Sequence, residues 1–165
     1  PDDELNVARQ QDRLHRNFQG YSTQAECDLV ALGISAISQI GSVYAQNVKT
    51  LDEYYERLDA GILPIQRGVE LNADDVVRRA IIQQLMCHFR VDIPAIQKTH
   101  GIVFDQYFAT ELASLSDFAS DGMLAIDRDV IAVTAKGRLL VRAIGMVFDK
   151  YLRQREERPR FSKII

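Results

Sequence analysis

The sequence predicts a mainly α-helical chain with a small β component, and three observations carry that expectation. From residue 72 onward, apolar side chains recur at helical spacing in segments opened by capping residues. Two short apolar runs, residues 124–126 and 130–133, flank the polar Asp127-Arg128-Asp129 and read as a hairpin. Upstream, Leu29 to Ile34 is almost continuously apolar and runs on through Ser38, the pattern of a strand covered on both faces. The chain has 165 residues, 47% of them hydrophobic and 26% charged, which suits an ordinary globular protein with one core.

In chain order, residues 2–14 read as a short polar helix, with Asp2, Asp3 and Glu4 in the first turn where they suit the dipole. His15 to Thr23 mixes Asn17, Gly20 and Ser22 with Phe18 and Tyr21 and predicts a loop or site. Leu29 to Ile40 predicts a parallel strand, although no βαβ partner surrounds it. That isolation, and a chain opening at Pro1, predict a piece of a longer polypeptide. Thr50 to Ala60 reads as a helix capped by Thr50 and stopped by Gly61, and Ile62 to Leu71 as an extended connector. Asn72 caps a helix with Val77, Ala80, Ile81, Leu85 and Phe89 on one face. A short helix follows Asp92, with Pro94 in its first turn, and a third runs from Val103 to Phe118. After the Asp121-Gly122 turn and the hairpin, Thr134 caps a long closing helix with the stripe Leu140, Ile144, Val147, Phe148 and Tyr151.

Charge and cysteine content narrow the function classes. Lys plus Arg total 20 against 23 Asp plus Glu, a net charge of −3, which disfavours a nucleic-acid binder. Helices followed by a hairpin and a further helix is the order of a winged-helix module. Its recognition helix, residues 103–118, holds Asp105, Glu111 and Asp117 and no Lys or Arg, so phosphates would repel it. No run approaches the roughly 20 apolar residues that span a bilayer. Two cysteines, Cys27 and Cys87, are too few for a disulfide framework and fit a reduced, cytoplasmic setting.

The densest group of functional side chains is His15 to Thr23, where a ring and an amide stand side by side. The competing interpretation is a turn whose Phe18 and Tyr21 plug into a core. Ser35 and Ser38 lack a recognisable base, and His15, His88 and His100 have no metal-like spacing. His88 reads as a satisfied core or interface histidine, Cys87 as a small buried hydrophobe and Cys27 as an incidental thiol. Residues 150–165 carry Lys150, Arg153, Arg155, Arg158, Arg160 and Lys163 against Glu156 and Glu157, and Lys136, Arg138 and Arg142 extend the charge upstream. This is either a site for a polycarboxylate or phosphate or a solvated helix face.

Longer blocks of sequence are more specific. His15-Arg16-Asn17-Phe18-Gln19-Gly20-Tyr21-Ser22-Thr23, the run from Asp28 to Ser38, Tyr44-Ala-Gln-Asn47 and Leu51-Asp-Glu-Tyr-Tyr55 resemble the oxygen-independent coproporphyrinogen III oxidases, radical S-adenosylmethionine enzymes of haem biosynthesis. Arg67-Gly68, Asp74-Asp75 with Arg78-Arg79, Gln84-Leu-Met-Cys87, Thr134-Ala-Lys-Gly-Arg138 and Phe161-Ser162 continue the resemblance in the same order.

The resemblance implies that the full-length protein oxidatively decarboxylates two propionates of coproporphyrinogen III to vinyl groups, giving protoporphyrinogen IX. It implies S-adenosylmethionine and a [4Fe-4S] cluster as cofactors, with Phe18, Gln19 and Ile37 at positions the family ties to a second S-adenosylmethionine. The cluster-binding C-x₃-C-x₂-C motif is absent, so the three cluster ligands are expected upstream and the fragment alone is expected to be inactive. Residues 1–50 are expected to be the last strand and loops of a partial (β/α) barrel, 51–71 a connector, and 72–165 a winged-helix-like C-terminal domain packed on that barrel. Arg138 and Arg142 are expected to meet substrate propionates, and the protein to be monomeric, without nucleic-acid or membrane partners. The alternative from another class is a haem-binding carrier of the same superfamily.

Overall fold

The computed structural model describes residues 3–25 and 27–156, with the side chains of residues 154–156 left aside. Helix α1 (Glu4–Gln10) begins where the Asp3 carboxylate accepts from the Asn6 amide at 3.0 Å, and it is shorter than the expected 2–14. The following segment is no loop. Strands β1 (His15–Asn17) and β2 (Gly20–Ser22) pair antiparallel, with Asn17 opposite Gly20. Phe18 and Gln19 therefore occupy the two-residue turn. Local chemistry explains the hairpin: the Asn17 side chain accepts from the Gln19 amide at 2.9 Å, and Gly20 takes a φ of 130° that suits glycine.

The expected parallel strand is also replaced. Leu29 makes a single antiparallel bridge to Gln39, and residues 30–34 follow an irregular path. Only the end of the expected run forms a strand, β3 (Ile37–Ile40), which with β4 (Val43–Asn47) and, after α2 (Leu51–Asp59), β5 (Ile65–Glu70) makes an antiparallel sheet in the order β3-β4-β5. The expected connector thus supplies the third strand. Side chains hold the apolar run in place of a ladder. The buried Asn47 amide donates to the carbonyls of Ala31 (3.2 Å) and Gly33 (2.9 Å). Ser38 Oγ accepts from the Ala31 amide and Tyr54 OH from the Gly33 amide, both at 3.0 Å. Val30 and Leu32 remain 67% and 84% exposed, so hydrophobicity alone misidentified this segment as a buried strand.

Helix α3 (Ala73–His88) starts in a capping box: the Asn72 side chain accepts from the Asp75 amide while Asp75 accepts from the Asn72 amide. Strand β6 (Arg90–Asp92) then leads into α4 (Ile93–His100), where Asp92 caps and Pro94 sits in the first turn as expected. The single helix expected from 103 to 118 is two, α5 (Phe104–Tyr107) and α6 (Ala109–Ser120), broken at Phe108. The break lets the fully buried Phe108 ring meet Phe104, Tyr107 and Phe148 at centroid distances of 5.0, 4.9 and 5.5 Å. The expected hairpin forms as β7 (Leu124–Ile126) and β8 (Val130–Val133), and β6 joins it in the antiparallel order β6-β8-β7. The core gathers here, around Ile81, Leu85, Val91, Phe104, Phe108, Leu115, Ile131, Ile144 and Phe148.

The long closing helix is likewise interrupted. A 3₁₀ turn (Gly137–Leu140) precedes α7 (Val141–Met146), and α8 (Lys150–Glu156) follows a gap. Between them the amides of Val147, Phe148 and Asp149 bond three residues back, a tighter winding that ends the helix. Asp149 then accepts from the amides of Tyr151 (2.9 Å) and Leu152 (3.3 Å), restarting it. The architecture is mixed, with antiparallel sheets and more strand than expected. All strand pairs among the described residues are antiparallel. No helix among them is long and apolar enough to cross a membrane. The side chain of Arg155, and Arg158, Arg160, Phe161, Ser162 and Lys163, lie outside what is described.

A candidate ligand cleft and its charged wall

The face of α3 made by Asp75, Arg78, Arg79, Ile82, Gln83 and Met86, spaced three and four apart, looks into a cavity of about 610 Å³. The other walls are the β1–β2 turn, Gln39 and Tyr44 of the β3-β4-β5 sheet, and the Phe148–Tyr151 segment. This size suits a small-molecule site. Gln83 fastens the hairpin to the helix: its Oε1 accepts from the Arg16 amide at 3.2 Å and its Nε2 donates to the Arg16 carbonyl. Phe18 meets Tyr44 edge-on at 5.3 Å, yet keeps 55% of its surface exposed, leaving ring surface for a ligand. The Arg79 guanidinium lies 5.9 Å from the Tyr44 ring centre and donates to the Tyr44 hydroxyl at 3.3 Å.

One wall is a network of paired charges. Arg78 bridges Asp74 (2.8 Å) and Glu111 (2.7 Å), and Arg153 also pairs with Glu111, whose side chain is only 3% exposed. Lys150 bridges Asp74 (2.8 Å) and Asp75 (2.7 Å). Tyr107 OH donates to Asp74 at 2.9 Å and Tyr151 OH to Asp75 at 3.1 Å. Burial opposes ionisation of the three carboxyls, but hydrogen bonds from Lys150 to Asp74 and Asp75, and from Arg78 to Glu111, outweigh it. All three carboxyls are held below their ordinary values. Burial likewise opposes the Lys150 charge, and its two aspartate partners raise its pKa instead.

On the far side of α3, burial lifts the Cys87 thiol to about 11, so this cysteine is a packed apolar group as expected. His88 departs from its expected satisfied state. Its ring bonds the Leu14 backbone, but Nδ1 has no hydrogen-bond partner among the described residues and lies 3.6 Å from Asp12 Oδ1, and burial lowers the imidazole pKa. No group of three or more His, Cys, Asp or Glu side chains among the described residues is placed to hold a metal.

Comparison with known proteins identifies the unit built around α3. Residues 71–140 match the HemN C-terminal domain. Over its whole length the chain is also similar to the C-terminal portion of the oxygen-independent coproporphyrinogen III oxidases: 49% identical to the Escherichia coli K12 protein, 51% to that of Pseudomonas aeruginosa and 45% to that of Thermostichus vulcanus. The chain spans 36% of the first two relatives and 51% of the third. The solved structure titled "Coproporphyrinogen III oxidase (HemN) from Escherichia coli is a Radical SAM enzyme" superposes with a TM-score of 0.88 at 49% identity, covering 92% of this chain and 35% of that one.

The segment that matches the HemN C-terminal domain thus contributes α3 to the cleft, while the hairpin and sheet that complete it lie before residue 71. Among the residues singled out in the sequence, Phe18 lines the cleft, and Gln19 is exposed beside it in the same turn. Ile37 is half-buried at the start of β3, and neither it nor Gln19 is part of the lining. Arg138 packs over the Phe89 ring at 4.9 Å and Arg142 is exposed; neither lines the cleft. The sequence reading passed over Arg16, Tyr44, Arg79 and Gln83 as lining residues. For Arg79 and Gln83 the signal was a second stripe on the Asn72-capped helix, 75/78/79/82/83/86, which resembles a solvent face until another element covers it.

Proposed function

We propose that this chain forms the C-terminal part of an oxygen-independent oxidase that decarboxylates two propionates of coproporphyrinogen III to vinyls, giving protoporphyrinogen IX. The observation that carries the proposal is the cleft joining the Phe18-Gln19 turn to α3, in a chain similar throughout to enzymes bearing that name. S-adenosylmethionine and a [4Fe-4S] cluster would supply the oxidising chemistry. The residues fit the first and not the second. Phe18 offers ring surface at the cleft, Gln19 an unburied amide beside it, and Ile37 an apolar side chain on β3, so these three would hold an adenosyl group. Two cysteines, one buried with a raised pKa, do not supply a three-thiolate cluster site, and its ligands would come from sequence this chain does not cover.

In this reading the chain binds and orients. The paired network fixes α8 and the Phe148 segment as one wall of the cleft, and Gln83 fixes the Phe18 turn as another. Residues 1–50 would belong to the catalytic barrel, 51–71 would connect, and 72–165 would form a winged-helix-like cover in a cytoplasmic monomer. The exposed apolar side chains of Val30, Leu32 and Leu63 support packing against that barrel. Arg138 and Arg142 would reach substrate propionates from outside the cleft. Anaerobic incubation of the full-length protein with coproporphyrinogen III, S-adenosylmethionine and a reductant should yield the divinyl product. Tight haem binding without product would replace this proposal by the carrier alternative.

A further inference from the structure

Two cations in the cleft lack an anion. Arg16 and Arg79 both line it, and neither makes an ion pair among the described residues. The other basic groups of the lining are matched: Arg78 by Asp74 and Glu111, Lys150 by Asp74 and Asp75. The acidic groups of the lining are engaged elsewhere, Asp75 on Lys150 and Asp149 on the amides of Tyr151 and Leu152. Arg16 and Arg79 rest instead on tyrosine rings, 5.8 Å from the Tyr21 centre and 5.9 Å from the Tyr44 centre. Both are half-buried. A guanidinium stripped of part of its water and given no carboxylate is a receptor for one, because its planar fork accepts a carboxylate through two charge-assisted hydrogen bonds.

We infer that Arg16 and Arg79 form a carboxylate-binding pair, which takes the acid groups of a ligand whose ring portion lies against Phe18. The inference deepens the proposed function and rests on it for the choice of ligands. The chemistry recognised is a carboxylate carried beside a ring system with apolar faces. A macrocycle propionate and the amino-acid carboxylate of an adenosyl cofactor both have it. The apolar remainder of the lining, Ile82, Met86 and Phe148, accommodates the ring portion in either case.

Two pairs of probes separate the sources. Coproporphyrin III is titrated against its neutral tetraamide by fluorescence, and S-adenosylmethionine against 5′-methylthioadenosine, which lacks the carboxylate, by calorimetry. Each is measured with the chain, with R16Q and R79Q, with R79K to guard against misfolding, and with R128Q, an exposed charge on the β7–β8 turn, as control. In at least one pair the acid should bind about tenfold or more tighter than its neutral partner. R16Q and R79Q should each erase about tenfold of that preference, R79K should recover part of it, and R128Q should not change it. The pair showing this pattern names the source. Equal affinity of acid and neutral probe in both pairs, no binding in either, or a preference that survives both R16Q and R79Q would overturn the inference. Failure to form divinyl product with this pattern intact would remove the proposed activity and leave the carboxylate pair standing.

Discussion

Arg78 and Arg79 are neighbours in sequence, and the helix points them about 100° apart. Arg78 enters a region where every charge is answered: Asp74, Asp75, Glu111, Lys150 and Arg153 pair with one another across α3, α6 and α8. Arg79 enters a region where it and Arg16 rest on aromatic rings and, among the described residues, make no ion pair. The first arrangement ties together elements far apart in sequence. The second leaves charge available to something that is not protein. Structural ion networks and binding sites can use the same residue types, and the completeness of the pairing tells them apart.

If that contrast holds, damage to the paired region should cost stability and damage to the cleft should cost function. Glu111→Ala should have the largest effect, since it removes the buried carboxylate shared by Arg78 and Arg153, leaving Arg78 ion-paired with Asp74 alone among the described residues. A loss of about 3–5 kcal/mol in denaturant unfolding is expected, and a loss below about 1 kcal/mol would show that the network is decorative. Asn47→Ala should come next, at about 1–3 kcal/mol, because it leaves the Ala31 and Gly33 carbonyls without their donor. Phe18→Ala and Gln19→Ala should move stability by no more than about 0.5 kcal/mol, as exposed turn residues do, while lowering turnover in the proposed decarboxylation by the full-length protein. Unchanged turnover would remove them from the site.

Two smaller effects sharpen the picture. The folded pKa of His88 lies below its ordinary value near 6.5, so the unfolded chain binds the proton more readily. Its stabilising contribution is present above about pH 6.5 and is lost as pH falls through the lower folded value. His88→Gln should flatten this first acid step and keep the later one from Asp74, Asp75 and Glu111, which unfolding titrations at several pH values would resolve. A curve with His88→Gln parallel to the parent would refute the assignment. Arg142→Glu should weaken substrate binding, though less than changes in the cleft lining, because its side chain is exposed outside the cleft, and unchanged binding would remove Arg142 from the propionate contacts. A large effect would shift attention from the cleft to that surface.

Much of the fold was legible where signals were local. The Asn72 capping box, Asp92 with Pro94, and the hairpin around residues 127–129 form where expected. The failures share a cause. Leu29 to Ile34 reads as buried because it is apolar, yet Val30 and Leu32 face outward and the backbone is satisfied by Asn47, Ser38 and Tyr54. The stripe from Leu140 to Tyr151 reads as one helix, but the chain tightens before Asp149 restarts it. Phe18 was found by its neighbours in sequence. Arg16 and Arg79 were missed because their lack of an ion pair shows only once the carboxylates of the described residues have been placed.

The run held by Asn47 has a consequence for the entropy of contact. Fixing a backbone residue costs about 1–2 kcal/mol when it occurs at the moment of association. Residues 31 and 33 already donate and accept within the chain, so that cost is met during folding. The exposed Val30 and Leu32 are presented as a preshaped apolar ridge, and a surface that met them would gain their burial without having to order the segment that carries them.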